Sequence, residues 1–326
     1  MVILRFSKIA AATEARNLHH SKSRDVEKDN YRFFYPQPFE IYMNESANHK
    51  NSEGMTAFNG IGIAIRPWYG AHRQEADVVM AVATGCQLPE IIYFDTSLLS
   101  TGFDGDIVLG LGDDISNETK DFGKYYAKHH NLVLYEIPLL ACTGAERFRL
   151  CNSAPMYEAV YQNGTRRPLP DIRPPRCVAQ LRYEYYWAWV SSYLGSSRVL
   201  ISDVRDVFFQ RNPFQNLPRN ATMETTLHVY RDTETIESNI PESNWIRNIY
   251  NESFFNEIKD QPGLCSGTSL GGKPSMEMYF RAMIKENDLH GNQKSCGMDQ
   301  GRHIALIRTN RLFGAPNITR VIEYNM

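Results

Sequence analysis

The sequence predicts an α/β fold, a Rossmann-like and mostly parallel sheet flanked by helices. Three observations carry this. Short apolar runs alternate with segments of helical length between residues 77 and 137. The first two runs end in glycine-containing turns. A further apolar run, residues 198–202, directly follows a long aromatic helical segment. Strand, helix, strand at this spacing is the mark of βαβ units and a parallel sheet.

Taken in order, residues 77–83 (DVVMAVA) form a continuous Val-rich run, as in a strand buried on both faces, and Thr84 and Gly85 end it. Residues 88–100 read as a helix with Pro89 in its first turn and Gly102 past its end. A second strand covers 106–111 and a third 132–137, with a helix over 118–130 whose basic residues favour its C-terminal end. Residues 141–176 break the rhythm. Five prolines and the pair Arg166 and Arg167 predict a long mobile loop that orders over the ligand. Residues 178–194 predict an aromatic helix stopped by Gly195, and 198–202 the fourth strand. Further helices are expected over 243–259, capped by Ser243, and over 275–286. Residues 1–75 are weakly patterned and are expected to form a peripheral N-terminal extension to a domain spanning 76–326.

The 326 residues are 42% hydrophobic, enough for a substantial core, and the net charge is −2. That balance gives no electrostatic footprint for nucleic acid. No apolar run approaches the roughly 20 residues that span a bilayer. The expected location is therefore the cytoplasm for a full-length chain, or the Golgi lumen for a piece of an anchored one. Six cysteines without zinc-site spacing read as free buried thiols. Six Asn-x-Ser/Thr sequons, at Asn44, Asn117, Asn163, Asn220, Asn251 and Asn317, point instead to a secretory history, although Asn251 falls within an expected helix.

The sharpest segment is residues 198–214, RVLISDVRDVFFQRNPF: a strand that delivers Asp203 and Asp206 at its carboxyl end. Ligands of parallel sheets bind at that edge. Carboxylates there suit Mn²⁺ or Mg²⁺, hard cations that want oxygen ligands and keep positions open for phosphate. The plainer alternative is a solvated acid pair with Arg205 beside it. Residues 264–272 (LCSGTSLGG) read as a tight turn whose small residues let a ligand approach the backbone. Residues 297–303 (GMDQGRH) read as a second turn, followed by a strand-like stretch at 304–307.

Taken in this order, these segments resemble nucleotide-sugar glycosyltransferases of the GT-A fold, over residues 77–307. The Asp-Val-Arg-Asp run resembles the Asp-x-Asp motif of those enzymes, and Asp-Gln at 299–300 resembles a motif of glycosyltransferase family eight. The chain shows Asp-x-x-Asp, so Asp206 matches the second family aspartate, whereas Asp203 reaches the metal through water or holds the donor ribose or sugar. The C-terminal His-x-x-Gly-x-x-Lys-Pro stretch of family eight has no counterpart here.

The resemblance implies a metal-dependent enzyme that moves a sugar from a UDP- or GDP-sugar to a carbohydrate or glycoconjugate acceptor. It implies that Asp299 and Gln300 act at the sugar and that Ser266, Gly267 and Thr268 touch the donor. Thr84 and Gly85, at the sheet edge, and Arg182, a guanidinium suited to phosphate, are expected to join them. His303 is expected as a third metal ligand. Two other readings stand beside this one. A sugar nucleotidyltransferase would carry a basic Gly-rich loop after the first strand, where Thr84 to Pro89 has no Lys or Arg. A silent carbohydrate-binding module would have kept the fold without the chemistry.

Overall fold

The computed structural model describes residues 58–112, 116–144, 149–153, 155–171, 173–290, 296, 298–309, 311–312 and 318–325. Seven strands form the central sheet: β2 (Val78–Val82), β3 (Asp106–Gly112), β4 (Leu132–Ile137), β9 (Arg198–Ser202), β10 (Thr226–Thr235), β11 (Pro262–Gly272) and β12 (Arg320–Asn325). Their order across the sheet is β12-β10-β11-β9-β2-β3-β4. Every neighbouring pair is parallel except the two that involve β11, which runs antiparallel to both β9 and β10. The expectation of a mostly parallel, Rossmann-like sheet is met.

Two helices make the first crossovers, α1 (Leu88–Ser100) and α2 (Asn117–His129). Alternate residues of each strand feed opposite faces of the sheet. Val79, Ala81, Ile107 and Leu109 pack with Ile91, Phe94 and Leu98 of α1 and with Phe209 and Phe214. Val78, Met80, Val108, Val199 and Ile201 pack on the other face with α3 (Val178–Val190), α7 (Lys273–Leu289) and α8 (Met298–Arg308). Such burial on both sides is why these strands read as unbroken apolar runs. Helix α3 is buried almost all round, with Tyr183, Tyr185, Tyr186 and Trp189 inside, and it carries the charged Arg182 and Glu184 into the core.

Several expectations are corrected. Residues 141–176 are not one open loop but contain short strands: β5 (Leu139–Thr143) pairs with β6 (Leu150–Ser153), and β7 (Tyr157–Tyr161) lies between β1 (Phe58–Ile63) and β8 (Arg166–Leu169). Pro168 is tolerated because β8 is an edge strand. Arg166 pairs with Glu158. Beyond β8, Arg173 bridges Asp171, Glu184 and Asp288 at 2.8, 2.6 and 3.1 Å, all of these groups being nearly unexposed, and so fastens this region to α3 and α7.

The helix expected over 243–259 is two helices, α5 (Ile240–Ile249) and α6 (Glu252–Ile258). Asn239 and not Ser243 caps α5, and the exposed Asn251 sits at the break and caps α6. The remaining helix, α4 (Ala221–Glu224), precedes β10. Four of the six cysteines are paired: Cys142–Cys151 and Cys177–Cys296 form disulfides, and Cys86 and Cys265 do not. Among the described residues no helix is long and apolar enough to cross a membrane. Of the residues assigned to an N-terminal extension, 58–75 contain β1, and Trp68 and Tyr69 donate backbone hydrogen bonds to Leu134; residues 1–57 lie outside the described residues.

Candidate active site

The carboxyl ends of β2 and β9 lie side by side, because the two strands are parallel neighbours. Beyond β2 come the half-buried Thr84 and the exposed Gly85; beyond β9 come Asp203 and Asp206. Arg205 ties the two turns together. It donates from Nε to Glu90 at 3.0 Å and from Nη2 to the Gly85 carbonyl at 2.5 Å, so it is not the partner of the neighbouring acids.

Antiparallel β11 brings its early residues to the same edge. Thr268 pairs with Ser202, and the ladder extends one step further as the Asp203 amide donates to the Gly267 carbonyl at 2.8 Å. The segment read as a turn is thus a strand, with Ser266, Gly267 and Thr268 within it. Glycine at 267 leaves room for the Asp203 carboxyl. A Cβ there would stand 2.3 Å from Oδ2 of Asp203. Thr268 is buried, whereas the Ser266 hydroxyl donates to Asp299 at 3.1 Å.

The segment around Asp299 is also not a turn: it opens helix α8, which continues through the stretch expected as a strand. Asp299 is buried and Gln300 half-buried. Arg182 joins this helix to β9. Its Nη1 donates to Asp203 at 2.6 Å and its Nη2 to Asp299 at 2.6 Å, with the Ser266 carbonyl and hydroxyl at 3.1 and 3.2 Å. One planar guanidinium therefore fixes carboxylates from two elements and a serine from a third. Sequence reasoning placed Arg182 at a diphosphate; the structure commits both of its terminal nitrogens to protein acceptors.

The charge balance is uneven. Surrounding protein pushes the Asp203 carboxyl above its usual range, and Asp299 and Asp206 push it the same way against the opposing pull of Arg182. Even so, 47% of the Asp203 side chain faces solvent at the open edge. Asp206 is exposed, and no hydrogen bond or ion pair involves it among the described residues. The pair offers hard oxygen ligands with surplus negative charge, as a divalent cation requires.

The structure does not bring His303 to this pair. It is wholly buried in α8, with Nδ1 hydrogen-bonded to the Tyr279 hydroxyl at 2.7 Å, and burial lowers its pKa to about 3. No group of three or more His, Cys, Asp or Glu side chains fit to hold a metal occurs among the described residues. A packed, neutral histidine is the correction to the expected third ligand.

Sequence reasoning missed Glu242 of α5, whose Oε1 accepts from Gln300 Nε2 at 2.6 Å. It also missed the Cys177–Cys296 link between the start of α3 and the approach to α8. Neither carries a local signal, since each depends on residues far apart in the chain.

No protein-family profile matches the chain, and no curated protein does. Similar solved structures include the galactosyltransferase LgtC in complex with donor and acceptor sugar analogues, 13% identical, covering 76% of this chain and 73% of that one at a TM-score of 0.41. An active-site mutant of LgtC is 12% identical, covering 76% and 72%, at the same TM-score of 0.41. A likeness that coarse assigns no chemistry to this chain.

Proposed function

We propose that this chain is a metal-dependent glycosyltransferase that moves a sugar from a nucleotide-sugar donor, a UDP- or GDP-sugar, to a hydroxyl of a carbohydrate or glycoconjugate acceptor. The observation that supports it most is the constellation gathered by Arg182 at the carboxyl edge of the sheet. Asp203, Ser266 and Asp299 meet on one guanidinium, with Asp206 exposed beyond them. That edge is where ligands of such sheets bind.

Asp203 and Asp206 would hold Mn²⁺ or Mg²⁺, which neutralises charge on a departing diphosphate. Ser266 and Gly267 line the approach to the donor sugar. Asp299 and Gln300 hydrogen-bond its hydroxyls and oppose the positive charge that develops at the anomeric carbon. The bond from that carbon to the diphosphate oxygen breaks, the acceptor oxygen takes its place, and the acceptor's proton is released as the nucleoside diphosphate leaves.

The test is a thermal-shift panel of UDP-, GDP- and CMP-sugars with and without Mn²⁺, because binding to the native state raises stability by mass action. One donor should stabilise the protein in the presence of metal, and Asp206→Ala should abolish Mn²⁺-stimulated turnover of that donor with the fold intact. Full turnover by this variant in a chelator removes the metal from the mechanism. A protein that neither binds nor turns over any donor under any of these conditions is not a glycosyltransferase.

A further inference from the structure

Gln300 and Asp299 are neighbours in sequence, yet different parts of the molecule hold them. Asp299 answers to Arg182 and Ser266. Gln300 answers to Glu242, in the first turn of α5, where the Asn239 side chain caps the helix by accepting from the Glu242 amide. Glu242 has no exposed surface, so it cannot touch a ligand. A buried carboxyl aimed at a functional amide needs a reason.

The surrounding backbone is shaped to admit that carboxyl. Glycine stands at 263 in β11, where a Cβ would lie 2.3 Å from Oε2 of Glu242. Glycine also stands at 301 in α8, where a Cβ would lie 2.9 Å from Cδ1 of Ile249 and 3.2 Å from Cβ of Trp245, both on α5. The first approach admits the Glu242 carboxyl beside β11, and the second seats α8, which carries Gln300, against the same helix α5.

We propose that Glu242 is a positioning residue that orients the side-chain amide of Gln300, turning its carbonyl oxygen to the donor sugar. This deepens the glycosyltransferase reading and rests on it. The chemistry of the contact sets the direction. With Nε2 donating to Glu242, the amide presents its oxygen away from that partner, as the acceptor for sugar hydroxyls and the group facing developing positive charge.

The protonation state supports this assignment. The Glu242 and Asp232 carboxyls lie within hydrogen-bonding reach, and burial together with Asp232 and Glu234 of β10 pushes the Glu242 carboxyl up to about 8. Oε1 is the oxygen that meets Gln300. Arg308 of α8 is a further charged group acting on Glu242, and its own nitrogens are held by Pro262 and Glu323. As pH rises past about 8 the Glu242 carboxyl loses its proton beside the acids of β10.

The experiment is steady-state kinetics of the full chain with its identified donor, for wild type, Glu242→Gln, Glu242→Ala, Gln300→Ala and the double variant Glu242→Ala with Gln300→Ala. The glutamine variant can still accept from Gln300 and donate to Asp232. It should keep kcat within about threefold of wild type at pH 7 and should lack the fall in kcat above pH 8 that is expected of wild type. Glu242→Ala should lower kcat at least about tenfold with little change in donor KM, and the double variant should be no slower than Gln300→Ala alone, since coupled residues are not additive. If Gln300→Ala is slow and Glu242→Ala is not, or if their effects multiply, Glu242 does not position Gln300. If the alanine variant fails to fold, a glutamine variant with the wild-type alkaline profile overturns the proposal equally. Absence of turnover by wild type refutes the glycosyltransferase reading and this inference with it, whereas a fully active Gln300→Ala refutes this inference and leaves the glycosyltransferase reading standing.

Discussion

Replacing Asp95 with asparagine should stabilise the protein at neutral pH. Asp95 lies in α1 with no exposed surface, and neither carboxyl oxygen has a hydrogen-bond partner among the described residues. Burial raises its pKa to about 8, against about 3.9 in an unfolded chain. Between those values the native state keeps a proton that the unfolded state has released. Stability therefore falls as pH rises from about 4, and the loss is complete above about 8. At pH 7 roughly three pH units at about 1.4 kcal/mol each give about 4 kcal/mol, and relaxation around the group brings the expected gain to about 2–4 kcal/mol. Asparagine matches the shape of the protonated acid and does not titrate. Urea unfolding of both proteins at pH 4.5, 6, 7 and 8 should show a difference near zero at the lowest pH that grows steadily toward the highest. A variant no more stable than wild type at pH 7 to 8, or a gain independent of pH, would refute a buried, neutral carboxyl at this position.

The other predictions address the site and the fold. Asp299→Asn or Gln300→Ala should cut kcat at least about tenfold, a barrier increase of about 1.4 kcal/mol or more, with nucleoside diphosphate affinity nearly unchanged by calorimetry; normal turnover with lost diphosphate binding places the pair at the wrong end of the donor. Serine at both Cys177 and Cys296 should cost about 2–5 kcal/mol in urea unfolding, because that disulfide links residues 119 apart; an unchanged midpoint shows that the link does not restrain the unfolded chain. The pKa values of His303 and His228 are lowered by burial to about 3 and about 4, so both stay neutral in the fold while the unfolded chain protonates them. Their stabilisation is complete above about 6.5 and is lost as pH falls toward those values. His303→Gln should flatten the acid side of the stability curve, and an identical acid slope in the variant contradicts a neutral buried imidazole.

The sequence made β2, β3, β4 and β9 legible because these parallel strands are buried on both faces and read as apolar runs, and for the same reason it located Asp203 and Asp206 at the end of β9, whereas β10 and the less buried β12 were not read. It hid β11. A strand written PGLCSGTSLGG looks like a turn, since two of its glycines answer to carboxyls approaching from elsewhere: Gly263 makes room for Glu242 and Gly267 for Asp203. Its strand conformation comes from β9 and β10 on either side, a long-range influence that local propensity does not contain. Gly301 misled in the same way, marking a close helix contact where a turn was read. The long aromatic helix extended only to Val190, and the prolines of the 141–176 region proved to be compatible with hairpins and edge strands.

Arg182 shows most clearly why site residues were harder to read than elements. An arginine on a buried aromatic helix can point at phosphate or at protein, and spacing does not distinguish the two. Here its fork is filled by Asp203 and Asp299, which arrive from β9 and α8, so the residue acts as a brace between the two halves of the candidate site. That arrangement has an electrostatic consequence. Three carboxylates, Asp203, Asp206 and Asp299, are set against one guanidinium that is already shared, and Asp206 has no protein partner among the described residues. A bare diphosphate brought to this edge would add like charge to like. The carboxylates that make the edge repel an anion are the same ones able to recruit a divalent cation, and under the proposed function the charge would be reconciled by cation and diphosphate arriving together. The physical case for metal dependence therefore rests less on the spacing of the two aspartates than on where Arg182 spends its positive charge.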